Sequence, residues 1–233
     1  MRFHVLACDF DSTLADHGFV SDDVESALVR VRQGGRRLVL VTGRRLGDLV
    51  ELLPDVNLFA VIVAENGALV YLPDRKEERR LGPPIPSQLL HHLRVAGVRF
   101  DAGRGIISVP EREREKVDRV LGYLGLDYQY SFNKASLMIL PPGIDKASGL
   151  RAALDELGES PEATVAVGDA ENDIPLLSAC GCAVAVANAL DSVKKVADIV
   201  LERPDGEGVR ELADELLRDD LAAMLGAVHS GKP

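Results

Sequence analysis

Short runs of branched and small apolar residues, each ending in a polar or glycine-containing turn, recur along this chain, and helical patterns follow most of them. Phe3–Cys8 leads into Asp9-Phe10-Asp11 and then a helix opened by Ser21-Asp22-Asp23 and running to about Gln33. Arg37–Val41 leads into Thr42-Gly43-Arg44 and a helix to about Leu53, and Ala60–Ala64 ends in Glu65-Asn66-Gly67. Further on, Thr164–Val167 precedes Gly168-Asp169 and a helix from about Asn172 to Ala179. Ala183–Val186 precedes Asn188 and a helix over Ser192–Ala197, and Ile199–Leu201 is the last run. These runs are rich in Val, Leu, Ile and Ala without strict alternation, as expected of strands covered on both faces. Strands alternating with helices predict an α/β fold: a doubly wound, mainly parallel, Rossmann-like sheet with right-handed crossovers.

The stretch from about Tyr71 to Pro142 breaks the rhythm. It is rich in charge, Pro and Gly, with Arg75-Lys76-Glu77-Glu78-Arg79-Arg80 followed by Pro83-Pro84-Ile85-Pro86. Its patterning predicts a strand pair, a helix over Ser87–Ala96, a strand near Ile106–Val109, a helix over Glu111–Leu124 and a hairpin over Asp127–Leu140. The expected organisation is therefore a core of residues 1–70 and 143–233 carrying a small α+β insert at 71–142.

Composition narrows the class. The chain has 233 residues, 46% of them hydrophobic and 27% charged, enough to bury a sizeable core. A net charge of −10 leaves no basic footprint for nucleic acid. It does not exclude an anionic ligand, because a bound metal and a few placed cations dominate a local field. Cys8, Cys180 and Cys182 are odd in number, and Cys180-Gly181-Cys182 is too close for ordinary disulfide geometry and lacks zinc-site spacing. Val5-Leu6-Ala7-Cys8 has only four residues before it and so no room for an apolar signal core, and no apolar run reaches bilayer length. The expectation is a cytoplasmic protein with reduced thiols, no membrane partner, and a monomeric or homodimeric state.

The candidate chemistry begins at Asp9 and Asp11. Two carboxylates one residue apart at a strand end repel one another, and a hard divalent cation such as Mg2+ is the usual group that offsets this. Alone, the pair reads equally as a solvated turn. Asp169-Ala170-Glu171-Asn172-Asp173 supplies a second acidic cluster at another strand end, where ligands of doubly wound sheets bind. Lys146 follows Asp145, which has the character of an N-cap, so a cation would occupy the first helical turn against the dipole. Beside a metal cluster, it reads as a group that binds an oxyanion. Thr42 and Gly43 end a strand where a hydroxyl and backbone N–H groups can hold phosphate oxygens; alone, Thr42 reads as a simple N-cap.

Together, Asp9-Phe10-Asp11-Ser12-Thr13-Leu14, Thr42-Gly43-Arg44, Lys146 and Gly168-Asp169-Ala170-Glu171-Asn172-Asp173 resemble the four motifs of the haloacid dehalogenase-like phosphohydrolases in order and spacing. Glu65-Asn66-Gly67-Ala68 and Asn172-Asp173-Ile174-Pro175-Leu176-Leu177 resemble the Cof-type branch (subclass IIB), whose cap lies between the second and third motifs. Short chains of that branch with a compact cap are similar to archaeal-type phosphoglycolate phosphatases. The resemblance covers the chain to about Leu216, with one departure: Ser12 stands where the first motif usually has Gly.

The resemblance implies that Asp9 is the nucleophile forming an aspartyl-phosphate, while Asp11 protonates the leaving oxygen and then activates water. It implies that Mg2+ is held by Asp9, the Asp11 main-chain carbonyl, Asp169 and Asp173, and that Thr42, Gly43, Lys146 and Asn172 grip the phosphoryl group. The implied activity is hydrolysis of a small phosphorylated metabolite, phosphoglycolate first and sugar phosphates second. A phosphotransferase or sugar phosphomutase would use the same intermediate, and a non-catalytic phosphometabolite-binding module is the third reading. Arg99 or Arg104 in the insert is a candidate to meet a substrate carboxylate. His91-His92 read as solvated or half-buried and the Arg75–Arg80 run as a solvated face, and the segment after Leu216 either closes the core or meets a partner.

Overall fold

The structure, a computed structural model, describes residues 1–53, 55–133 and 136–230. β1 (Val5–Cys8) is buried at every position and carries no charge, so it needs neighbours on both edges and layers on both faces. It sits inside an eight-stranded sheet with β2 (Arg37–Val41), β3 (Val61–Ala64), β4 (Leu69–Leu72) and β5 (Glu77–Arg80) on one side. After an excursion into a four-stranded sheet of β6 (Asp101–Ala102), β7 (Ile107–Pro110), β8 (Gln129–Asn133) and β9 (Ser136–Leu140), the chain returns. β10 (Thr164–Gly168), β11 (Cys182–Ala185) and β12 (Ile199–Val200) then extend the large sheet on the other side of β1. The order is β12-β11-β10-β1-β2-β3-β4-β5, parallel from β12 to β3 and antiparallel through β4 and β5.

The helices are α1 (Asp22–Gln33), α2 (Leu46–Leu52), α3 (Ser87–Val95), α4 (Arg114–Leu124), α5 (Lys146–Leu157), α6 (Ile174–Ser178), α7 (Asp191–Lys194), α8 (Asp205–Asp219) and α9 (Ala222–Ser230). None is long and apolar enough to cross a membrane among the described residues. α8 packs along α1, with Arg36 donating to Leu216 O and Asp220 Oδ1 at its C-terminal end, so the segment around Leu216 closes the core. Ser21 occupies the N-cap of α1 in extended conformation without a side-chain cap bond.

Three local expectations change. The helix expected over 172–179 is a 3-10 turn, Glu171–Asp173, followed by α6, because Pro175 fits only a first helical turn. The expected boundary at 71 falls inside β4: Val70 pairs with Val63 of β3, and β5 adds an exposed, charged edge strand of the kind that discourages further pairing. The helices and four-stranded sheet of the insert lie within 87–140, and the turn of the expected 127–140 hairpin, at 134–135, lies outside the described residues.

The insert has its own apolar core between α3, α4 and one sheet face, including Leu89, Leu93, Val117, Leu121, Leu137 and Ile139. The opposite face turns Met138 and Leu140 toward the large sheet, where they cluster with Ala68 and Ile106. Alternation along β9 thus joins two cores through one strand.

α5 lies against β3 and the turn after it, and Gly149 permits the approach: a Cβ there would collide with Val63 and the Gly67 backbone. Gly149→Ala is therefore expected to destabilise the protein by about 1–3 kcal/mol, overpacking outweighing the better helix propensity of Ala. Urea denaturation measures this; a stabilised variant would contradict the packing argument.

Candidate active site

Sheet register brings the sequence-predicted residues together. Cys8 lies opposite both Val167 and Leu40, so Asp9, Thr42 and Asp169 leave the sheet at one edge. The chain runs from β1 outward to β2 and later to β10 on the other side, which makes this edge the topological switch point where such sheets bind ligands. Asp9 N donates to Val167 O at 3.0 Å and Thr42 N to Val63 O at 2.8 Å, fixing both residues to neighbouring strands.

Lys146 opens α5, whose N-cap Asp145 forms a capping box with Ser148. A lysine there is ordinarily exposed; this one is 1% exposed. Its Nζ donates to Asp9 Oδ1 at 2.5 Å and to Asp173 Oδ1 at 2.6 Å. Asp173 Oδ2 in turn accepts the backbone N–H groups of Asp169 and Ala170, each at 3.0 Å. Gly168 makes room for this, since a Cβ at that position would lie 2.6 Å from Asp173 Cβ. Thr13 Oγ1 donates to Asp169 Oδ1 at 3.2 Å.

The oxygens of Asp9, Asp169 and Asp173 lie within 4.8 Å of one another and all three residues are buried. With all three acids ionised, three carboxylates and one ammonium leave two negative charges unbalanced in a desolvated space. Burial, then the charge of Asp173, lifts the Asp9 carboxyl well above the usual carboxylate range, against the opposing pull of Lys146. Burial would lower Lys146, but the charges of Asp173 and Asp9 and their hydrogen bonds overcome it and raise its pKa, so it stays protonated. Hard oxygen donors lacking two positive charges fit a divalent cation such as Mg2+.

Asp11 faces elsewhere. Arg44 Nε donates to both its oxygens, at 3.0 and 2.8 Å, and a terminal guanidinium nitrogen donates to Oδ1 at 2.6 Å. Thr42 is fully buried and its Oγ1 accepts Arg44 N at 3.1 Å in a local turn; it is not the N-cap of α2, a position that Arg45 occupies. Gly43 lies beneath Met138 of the insert: a Cβ on it would be 3.4 Å from Sδ, and 3.9 Å from Asn172 Nδ2. The insert therefore covers the Thr42–Gly43 turn.

Several neighbours of the cluster have no role that the sequence assigns. Arg44 was part of a motif without a function, and Thr13 likewise. Glu65, buried, accepts Gly105 N of the insert at 2.7 Å. Asn66 links Asn172 to Ser131. The Asn66-Gly67 dipeptide is a left-handed turn signal, but nothing local marks its distant partners.

The candidate arginines of the insert do not enter the cluster. Arg104 pairs with Glu78 and lines a cavity of about 700 Å³ with Arg45, Asp48, Glu65 and Tyr71, while Arg99 lines a separate groove beside Phe100 and Ser108. Arg45 bridges to the insert, donating to Asp101 at 2.8 Å. His92 Nδ1 lies 2.9 Å from Gln88 O on its own helix, in keeping with its expected surface role.

Ser12 adopts φ +59°, the left-handed region that favours the glycine usual at that motif position. Its backbone contacts, Ser12 N to Ala15 O and Asn188 Nδ2 to Ser12 O, do not require the side chain. Ser12→Gly is expected to stabilise the protein by about 1 kcal/mol, the relief of left-handed strain exceeding the entropy lost by glycine. Thermal denaturation tests this, and a loss of stability would show that the serine side chain anchors the turn.

The raised Asp9 carboxyl has a defined pH signature. Its contribution to stability is full below the unfolded value of about 3.9 and is lost as pH rises toward the folded value. A divalent cation competes with that proton, so the melting-temperature increase produced by Mg2+ should grow as pH rises from the unfolded value through the raised folded one. A pH-independent increase would disconnect the cation from Asp9.

The chain matches a family model described as haloacid dehalogenase-like hydrolase over residues 6–94 and 110–212. It is 33% identical over 218 residues to phosphoglycolate phosphatase 2 of Saccharolobus solfataricus, covering 91% of this chain and 92% of that one. It is 35% identical over 175 residues to the phosphoglycolate phosphatase of Methanopyrus kandleri, covering 68% and 72%. The fold resembles that of a haloacid dehalogenase-like hydrolase from Bacteroides thetaiotaomicron, with a TM-score of 0.79 at 22% identity over 92% of this chain and 99% of that one. A subclass IIB sugar phosphatase of the same superfamily superposes with a TM-score of 0.74 at 20% identity over 91% and 98%.

Proposed function

The chain belongs to the haloacid dehalogenase-like hydrolases, and from that premise we propose that it is a Mg2+-dependent phosphatase acting on a small phosphomonoester through an aspartyl-phosphate at Asp9. The observation that carries this reading is the buried set of Asp9, Asp169 and Asp173 around Lys146, two positive charges short of balance. Phosphoglycolate stands first among substrates, because relatives spanning nearly the whole chain bear that name, and sugar phosphates stand second.

Asp9 attacks phosphorus, forming a carboxylate oxygen–phosphorus bond as the bond to the leaving oxygen breaks. Asp11 gives that oxygen a proton, then takes one from the water that hydrolyses the acyl phosphate. Arg44 donates to both Asp11 oxygens, so these proton transfers require that contact to slacken. Thr42, Gly43, Lys146 and Asn172 hold the phosphoryl oxygens, Lys146 being fixed as a cation by its two carboxylates. Asp9, Asp169, Asp173 and the Asp11 carbonyl would hold Mg2+, which when bound supplies charge that neutralises the transferring group. Within the expected insert 71–142, residues 87–140 act as the cap, carried on the β4–β5 pair of the core sheet, and the face bearing Met138 excludes water above Gly43.

A phosphate-release screen over glycolate, sugar and nucleotide phosphates with Mg2+, and without an acceptor alcohol, tests this. Release is expected with wild type, loss after exhaustive chelation, and a fall of at least about 10³-fold in Asp9→Asn with the fold retained. Transfer to an added sugar without phosphate release would indicate a phosphotransferase. Wild-type rates in Asp9→Asn would remove the nucleophile assignment.

A further inference from the structure

Two side chains outside the assigned set connect the cap to the phosphoryl end of the site. Asn66 is fully buried, and it and its neighbour Glu65 hold left-handed φ values of +55° and +54°. Consecutive non-glycine residues in that region persist only when their surroundings over-determine them, and such strain gathers at working sites. Here the conformation points the Asn66 amide between core and cap. Its Nδ2 donates to Ser131 Oγ of β8 at 3.0 Å, and its Oδ1 accepts from Asn172 Nδ2 at 3.1 Å. The relay ends at Asn172 Oδ1, which is buried and has no hydrogen-bond partner among the described residues. The Asn172 amide stands beside Gly43, where the proposed function places the phosphoryl group.

In this state the free end of the relay is an acceptor, and a phosphoryl oxygen needs a donor. The donors along the relay resolve the conflict. An amide turned over exchanges its carbonyl for its NH₂ with little change of shape, and a serine hydroxyl both donates and accepts. If Ser131 O–H turns to donate, Asn66 presents Oδ1 to it and Nδ2 to Asn172 Oδ1, and Asn172 then offers Nδ2 to the phosphoryl oxygen. Every polar atom of the relay acquires a partner, including the one left over in the resting state. No proton leaves its atom and no bond other than hydrogen bonds changes.

We infer that Ser131, Asn66 and Asn172 form a reversible amide relay through which the cap sets whether the site offers an acceptor or a donor to the phosphoryl group. Asn66 and Ser131 are positioning residues acting through Asn172. The inference rests on the phosphatase reading above and adds two residues to it.

Substitutions that can only accept hydrogen bonds test the direction of the relay. Asn66→Asp accepts from both neighbours and leaves Asn172 Oδ1 facing the phosphate. Ser131→Asp pins Asn66 as donor toward the cap, with the same result at the far end, while strengthening the tie between cap and core. Ser108 is the control: it and Ser131 flank Met138 from opposite strands on one sheet face, so Ser108→Asp adds a similar charge off the relay. Binding of inorganic phosphate to the full chain in Mg2+ is measured by calorimetry. Both relay variants are expected to weaken it at least fivefold with no loss of melting temperature in Ser131→Asp. Ser108→Asp should lose less than half as much on a logarithmic scale, and Ser131→Thr, which keeps the two-way hydroxyl, should restore wild-type binding.

A smaller loss in Ser131→Asp, or an equal loss in Ser108→Asp, overturns the relay. If Asn66→Asp does not fold, the Ser131 series decides alone. Phosphomonoester turnover by wild type is measured alongside. Where wild type turns over and binds phosphate but the relay variants match it, the relay alone falls. Where wild type does neither, the phosphatase reading falls and the relay with it.

Discussion

The imbalance of charge around Lys146 is the constraint from which the rest of the site follows. Buried carboxylates are tolerated only when paired and hydrogen-bonded. Asp9, Asp169 and Asp173 share one ammonium, two backbone N–H groups and the hydroxyl of Thr13. That set stabilises each acid in part and satisfies none of the excess charge. The fold accepts the cost because the acids arrive on rigid supports: strand ends for Asp9 and Asp169, a helix N-terminus for Lys146, and a 3-10 turn for Asp173. Rigid supports keep like charges together that would separate in a loop.

Those supports depend on close approaches that only small residues allow. Gly168 admits the Asp173 carboxylate, and Gly149 lets α5 settle on β3 so that Lys146 reaches inward instead of into solvent. Lys146 opposes the dipole of its own helix, an unfavourable contribution of about 0.3–1 kcal/mol that two carboxylates at hydrogen-bond distance outweigh. The same geometry would suit a cation there to an oxyanion: it is already desolvated and cannot swing away.

Much of this was legible in the sequence, for a physical reason. Apolar runs bounded by turns locate strand ends, and in a doubly wound sheet strand ends share an edge, so Asp9, Thr42 and Asp169 could be brought together without coordinates. Lys146 was readable because it violates a helix rule. The division at 71 was not, since β4 belongs to the large sheet by pairing with β3 while β5 carries only charged side chains. Nor were Ser131 and Asn66: their connection depends on a left-handed turn and on the register of a hairpin about 65 positions away, and neither leaves a periodic signal. The engagement of Asp11 by Arg44 shows the same limit, because nothing local in the sequence marks that pairing.

The pairing of surface cations has a consequence for an anionic substrate. The chain carries a net charge of −10, and the arginines nearest the site are already engaged: Arg44 with Asp11, Arg45 with Asp48 and Asp101, Arg104 with Glu78. Lys146 is matched twice over by Asp9 and Asp173. Without a further cation, the field at the Thr42–Gly43 turn opposes a phosphomonoester, and local dipoles such as the Asn172 amide act against a repulsive background. A divalent cation held by the three acids would bring the cluster to neutrality and leave Lys146 and the donors of the turn free to act on the phosphoryl oxygens. On the proposed function, the charge arrangement would have the cation bind before phosphate, and the contribution inferred for the insert through Asn66 would follow that reversal.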